Sequence, residues 1–541
     1  MISARRDLSR SPPRRALRRL RRWRGHSIEE IGLAPDLEEA VRPAFGGDVQ
    51  AKISTSQSYN GCAMRRLDLH QQFLLTRKQS LAPCGFHVIE MLGWTLATHP
   101  NLTSCTLVNG KEPIGWIIGD AINAPAILAS QIDVAGQTVE SLIDRLAGRY
   151  AIIVVGGPSL RLYTDAGATL AVVYDPTEQF VGSTTTILQR AAQRSFSAPG
   201  PTDFPANQPN QFWPCGLTAD ASIRRLLPNH YLDLANWQTV RYWPRANDLD
   251  TSYHLKRQVR DIASTLCSTL EALVAKYRAL YVPLTAGSDS RAIAAAVMAC
   301  GYAKQTTFVT FDYCEASSMA AADVEGAQRI ARQCEVPHVI IPVPLAPSDD
   351  RVDYQWRTGH AGSSGKARDF LACRDNLDPS HVWLPGFGAE VGRGFYWKNM
   401  DMSIGKRRTT DASDLLHCLG LPEREDFTTA ASEWLNGQPS LTLFELLDIA
   451  YMELRLGCWA SPHLYGMAPF RSIVAPLSSR RIFKAMLSLP APYRRSGQIT
   501  ADVARYLSPQ IAAVADGRRS LAMRFPLLWS YACAARLQMG P

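Results

Sequence analysis

Two short stretches contain residues whose types and spacing suit chemistry. The first is Tyr281-Val-Pro-Leu-Thr285-Ala-Gly-Ser-Asp289-Ser-Arg291, where an apolar run gives way to small residues, hydroxyls and one acid. With no bulk at Ala286 and Gly287, backbone N–H groups can approach a ligand closely, and a helix starting there adds the positive end of its dipole. Thr285, Ser288 and Ser290 can donate to phosphate oxygens. Asp289 suits Mg2+, which prefers hard oxygens and binds through one or two carboxylates together with phosphates and water. The stretch reads as a phosphate site. The second is Leu384-Pro-Gly-Phe-Gly-Ala-Glu390-Val-Gly-Arg393-Gly394. Glu390 is the acid of this stretch. Arg393 can hold phosphate charge as a bidentate donor or form an ordinary surface salt bridge.

Strands alternating with helices must position these stretches. An amphipathic helix with apolar Val259, Ile262, Leu266, Leu270 and Leu273 leads into a buried strand at Tyr281, and the loop then opens a helix that ends by Gly301. Thr307 to Asp312 reads as a second strand, and Ala320, Val324, Ala327, Ala331 and Cys334 mark a helix face. His338 to Val343 and His381 to Leu384 read as further strands. This order predicts a parallel sheet with ligands at the C-terminal strand ends, where both loops lie. Beyond residue 410 the pattern is helical: a long helix carries Leu443, Leu447, Ala450, Leu454 and Cys458, and others run from Ser478 to Leu487 and from Ala501 to Leu507.

Thr-Ala-Gly-Ser-Asp-Ser at 285–290 resembles the Ser-Gly-Gly-x-Asp-Ser pyrophosphate loop of the asparagine synthetase class of ATP-pyrophosphatases. The absence of a Walker-type Lys fits adenylation better than γ-phosphoryl transfer. The resemblance implies ATP and Mg2+ as cofactors. ATP would be held by Leu284, Thr285, Ala286, Gly287, Ser288, Asp289, Ser290, Phe308 and Gly386, the metal by Asp289 and Glu390, and Glu390 and Arg393 would be catalytic. Two departures stand out. Phe387 occupies the place where glutamine-dependent members carry a Glu, and the C-terminal segment from Tyr493 has no Lys, leaving Arg494 or Arg495 as substitutes. Should the second loop be misaligned, Asp312 and Asp323 are the next acids in line.

Residues from about 80 to 245 read as short strands with turns: 105–108, 113–119, 150–155, 160–164 and 170–174, with a helix from Val139 to Leu146. The segments Gly148 to Val155, Asp165 to Tyr174 and Val181 to Ser183 resemble the glutamine-amidotransferase half of asparagine synthetases, and Leu227-Pro-Asn-His-Tyr-Leu-Asp-Leu and Trp243-Pro244 resemble the seam leading out of it. The family's nucleophilic Cys has no counterpart after Met1, where Ile2 stands, and Cys62 and Cys84 read as ordinary thiols. The half is therefore expected to be a degenerate amidotransferase-like scaffold or peptide-docking surface. The implied fold class is α/β with α+β: an Ntn-amidotransferase-like layered domain at 51–245, then a parallel-sheet ATP-pyrophosphatase domain (adenine nucleotide α-hydrolase-like) with a helical C-terminal part at 250–541, after an Arg-rich extension at 1–50.

The formal net charge of +9 invites a nucleic-acid reading, but residues 1–24 hold ten Arg and one Asp and so account for all of it. The remaining 48 basic and 48 acidic residues balance, and nucleic acid is not an expected partner. The arm reads as a solvated extension, an upstream-assigned start, or a short basic helix through Leu17, Leu20 and Trp23 for a membrane surface or an acidic partner. After it come a short helix at 27–39 and a polar linker at 46–62. The arm lacks a secretory apolar core, no run spans a membrane, and twelve scattered Cys without metal spacing read as reduced thiols in a cytoplasmic protein without a structural metal.

The segment Leu447-Asp-Ile-Ala-Tyr451-Met-Glu-Leu-Arg455-Leu-Gly-Cys-Trp459, followed by Ala468-Pro-Phe, resembles the helix and loop of divergent asparagine-synthetase-like proteins that include lasso-peptide macrolactam synthetases. The expected function is an ATP-dependent, AMP- and pyrophosphate-forming carbon–nitrogen ligase closing a lasso-peptide macrolactam. Its substrate would be a precursor peptide or another carboxylate and amine, with a leader peptidase and a leader-binding protein as further partners. An asparagine-synthetase-like amidotransferase, a β-lactam-type synthetase and a retired nucleotide-binding module are the alternatives.

Overall fold

The computed structural model describes residues 69–514, apart from 124–125, 128–130, 158, 195–210, 246–247, 250–253, 314–317, 363, 409, 468–469 and 471. The Arg-rich arm, the helix at 27–39, the linker at 46–62, Cys62 and the 468–469 dipeptide lie outside these residues. All of the described residues belong to one compact unit, Ile53–Pro541.

Among the described residues, the first half builds two sheets. A six-stranded antiparallel sheet is organised around Phe73–Thr76, and an eight-stranded, mostly antiparallel sheet around Glu112–Asn123 and Ala147–Val155. Alternation along the strands divides their faces. Phe73, Leu75 and Leu96 of the first sheet meet Trp116, Ile118, Ile153 and Leu162 of the second in a shared core. Leu74, Ala97 and Val173 face the opposite way, against the helix Thr185–Ala191. Leu107, Ile117, Tyr150 and Ile152 of the second sheet pack with the helix Val139–Arg145 and a long helix, α1 (Leu255–Tyr277). The result is four layers: helix, sheet, sheet, helix. The expected strand at 170–174 is shorter, Val173–Asp175. Its first residues turn about Asp165, whose buried carboxylate accepts from the N–H groups of Gly167 (3.1 Å), Thr169 (2.9 Å) and Leu170 (2.9 Å) instead of leaving them to a strand partner.

The second half carries a parallel sheet: β1 (Leu280–Pro283), β2 (Thr306–Asp312), β3 (His338–Pro342), β4 (Val382–Trp383) and β5 (Ser472–Ile473), in the order β3-β2-β1-β4-β5. Every pairing in it is parallel, so all C-terminal ends share one edge. Between the strands run α2 (Ser288–Ala299) after β1 and α3 (Ser318–Cys334) after β2. A helical region follows, including α4 (Leu443–Ala450), α5 (Ser461–Gly466) and α6 (Ile499–Leu507). The long helix expected from Leu443 to Cys458 is α-helical only to Ala450, and Tyr451–Ala460 is wound as a π-helix.

Polar contacts lock the two halves together. Asp120 of the second antiparallel sheet accepts from Lys276 Nζ (2.8 Å) and Tyr277 Oη (2.7 Å) on α1 and from the Ser472 hydroxyl on β5. No helix among the described residues is long and apolar enough to cross a membrane, and the nine described cysteines are free.

Candidate functional site

The loop between β1 and α2 is held by its own hydroxyls. Leu284 N donates to Val309 O (2.8 Å) and its carbonyl accepts from Thr310 Oγ1 (2.7 Å), fixing the exit from β1. Thr285 N donates to Ser290 Oγ and Gly287 N to Thr285 Oγ1, both at 3.1 Å. Ala286 N donates to Asp323 Oδ1 on α3, also at 3.1 Å. The first half of the loop is thus already satisfied, and the open donors are those of the helix start: no side chain caps α2, whose first N–H groups have no partner within the helix. Helix α3 closes on the loop through Gly326, where a Cβ would lie 2.6 Å from Ala286 Cβ.

The second loop leaves β4, the neighbour of β1, and turns through two left-handed glycines, Gly388 (φ 99°) and Gly394 (φ 55°). They bracket a 3-10 turn, Ala389–Arg393. Three residues per turn bring Glu390 and Arg393 alongside each other. Arg393 Nη2 lies 3.1 Å from Glu390 Oε1 and 2.8 Å from Asp289 Oδ2, so one guanidinium joins both carboxylates. Gly386 lies beside Asp289, and a Cβ on it would stand in ordinary contact, 3.9 Å from Asp289 Cβ. Ser288 Oγ and Thr500 Oγ1 each donate to Asp289 Oδ1 at 3.3 Å. Glu390 Oε2 is buried without a hydrogen-bond partner.

Electrostatics follow from this arrangement. Burial pushes Asp289 up to about 6, against the pull of Arg393 and with the help of Glu390. For Arg393 burial works the other way, but Asp289 and Glu390 outweigh it and hold the guanidinium charged. Lys398 is lowered by burial first and by Arg393 second. Tyr451 is raised by burial and by the adjacent Glu390 charge.

The structure brings Thr285 to Ser290, Gly386, Glu390 and Arg393 together at one edge of the sheet. Phe308 is fully buried midway along β2, and Leu284 and Ala286 turn their side chains into the core, leaving only backbone to offer. Arg494 is not turned toward the carboxylates: it pairs with buried Asp448, and its Nε donates to Leu489 O (2.9 Å). Arg495 is exposed. Sequence reasoning missed Thr500, because it began the helix at Ala501, and missed the part of Lys398, a cation whose field reaches both carboxylates. It ranked Asp323 only as a reserve acid, whereas Asp323 braces the loop backbone. The hydroxyl residue in the first turn of α6 and the Lys four residues after Gly394 were the available signals.

These residues fit a Mg2+–phosphate group. Two carboxylates meet at the foot of an uncapped helix, one oxygen of Glu390 has no partner, and such a set suits a metal completed by phosphates and water. No protein-family model matches the chain, and no curated protein matches it either.

Proposed function

We propose that the protein is an ATP-dependent amide ligase that activates a substrate carboxylate by adenylation and couples it to a substrate amine, most specifically as a lasso-peptide macrolactam synthetase of the asparagine synthetase class. The single observation carrying this reading is that Asp289 and Glu390, from separate loops at the ends of adjacent parallel strands, share Arg393 beside an uncapped helix start. Phosphates placed there would meet helix N–H groups, loop hydroxyls and a guanidinium. Asp289 and Glu390 would hold Mg2+, which supplies charge neutralisation of the pyrophosphate leaving group. Arg393 would then be released toward phosphate oxygens, stabilising charge where it develops.

The four-layered first half supports an Ntn-amidotransferase-like ancestry, and its contacts to α1 and β5 support a scaffolding role. Phe387 supports an amine already present on the substrate. Its ring lies edge-on to Trp459 at 6.3 Å, so this position offers apolar surface where a carboxylate would receive ammonia.

The test is pyrophosphate exchange into ATP, stimulated by candidate precursor peptides and, separately, by free amino acids. Exchange with peptides alone supports the macrolactam reading. Exchange with aspartate or other small amino acids replaces it with a small-molecule synthetase.

A further inference from the structure

The π-helix Tyr451–Ala460 joins α4 to α5, with hydrogen bonds that reach five residues back. It is fixed from behind. Buried Glu453 accepts from Arg241 Nη1 (2.5 Å) and Nη2 (2.8 Å), Asn229 Nδ2 (2.7 Å) and Trp434 Nε1 (2.8 Å). Gly457 seats Pro228, since a Cβ there would fall 2.4 Å from Pro228 Cδ. A segment so anchored presents its other face in one arrangement.

Eight of its ten residues are buried, and Arg455 and Trp459 are the two left half-exposed. Four residues apart on a wide turn, they share a face. Arg455 Cζ stacks 3.9 Å from the centre of the Trp459 ring and lies 5.6 Å from that of Phe212. Phe387 meets Trp459 edge-on, and Glu390 stands three residues after Phe387. At the head of the π-helix, Tyr451 lies against Glu390, and exposed Phe395 packs on it at 5.0 Å. An aromatic surface bearing one guanidinium therefore runs directly into the carboxylate pair.

We propose that Phe387, Arg455 and Trp459 form the acyl-donor subsite and select a donor whose reacting carboxyl is flanked by aromatic side chains and amide carbonyls. This rests on the adenylation reading above. Rings stack on apolar neighbours of the carboxyl, and the guanidinium holds a carbonyl or carboxylate beside them.

The experiment compares two non-hydrolysable acyl-adenylate mimics by calorimetry with Mg2+: acetyl-sulfamoyladenosine, and the same nucleoside acylated by the β-carboxyl of acetyl-Phe-Asp-Phe-amide. The wild-type protein is expected to bind the tripeptide mimic at least about tenfold more tightly. In Trp459→Ala and in Arg455→Ala that ratio should fall below about threefold, and Trp459→Phe should restore part of it. Equal binding of both mimics by the wild type, or an unchanged ratio in both alanine variants, overturns the proposal. Failure of the folded wild type to bind either mimic counts instead against adenylation itself. Trp459→Phe and Arg455→Lys keep the comparison informative should an alanine variant not fold.

Discussion

Arg393 Nη2 lies 2.8 Å from Asp289 Oδ2, and this contact ties the second loop to the first. Glu390 Oε1 lies 3.1 Å from the same Nη2, so one nitrogen of the guanidinium serves two negative charges that would otherwise repel each other. A cation in that position keeps the carboxylates together before any ligand arrives.

Removing it should therefore affect chemistry more than folding. Arg393→Gln is expected to lower pyrophosphate exchange by about a hundredfold or more, the scale of losing one preorganised charge donor. Thermal unfolding should shift by less than for a fully buried pair broken from one side, because the two side chains keep 30% and 19% of their exposure. A variant that exchanges normally would reduce Arg393 to a salt bridge.

Glu390→Gln should lower adenylate formation and amide formation together. Its sharing of Arg393 with Asp289 favours a metal ligand over a base. Single-turnover measurement of each half-reaction checks this. If adenylation survives and only amide formation slows, Glu390 is the base that takes the amine proton.

The first loop was legible because a strand, small residues with hydroxyls, and a helix follow one another within a dozen positions of local sequence. The second loop was legible only through its motif resemblance, and its meeting with the first depends on β1 and β4 being neighbours, which no local pattern encodes. The π-helix was hidden, because apolar spacing from Leu443 to Cys458 suits an α-helix and only distant anchors such as Arg241 and Pro228 favour the wider turn. Arg494 was misplaced for a similar reason: its partner Asp448 lies on another helix, and a sequence does not show which Arg will be drawn into the core.

The Glu453 anchor should be a stability determinant. Glu453→Ala leaves Arg241, Asn229 and Trp434 donors unsatisfied in the interior, and a loss of about 3 kcal/mol is expected, the usual scale for breaking a buried ion pair from one side. Urea unfolding measures it. A loss under about 1 kcal/mol would mean that the π-helix is not held by this residue.

Acidification should destabilise the fold through His463. Burial first, and then the charges of Lys366, Arg455 and Arg225, lower it to about 3 from an ordinary 6.5. Between those values the unfolded chain binds the proton and the folded chain does not. The stabilising effect is therefore complete above pH 6.5 and is lost as pH falls toward 3, at about 1.4 kcal/mol per pH unit. Glu453, also lowered, adds to the loss below its ordinary range. Comparing unfolding free energies at pH 7 and 5.5 in the wild type and in His463→Asn isolates the effect: the variant should show the smaller decline, and an equal decline would assign the proton elsewhere.

If the 285–290 loop and Glu390 act as proposed, they direct cleavage of ATP between its α- and β-phosphates. The most direct measurement follows ATP labelled at the α-phosphate, with Mg2+ and an activating carboxylate substrate, in the wild type and in Asp289→Asn. Labelled AMP and free pyrophosphate are expected from the wild type and neither from the folded variant. Label appearing in ADP, or AMP formed equally well by Asp289→Asn, would contradict it.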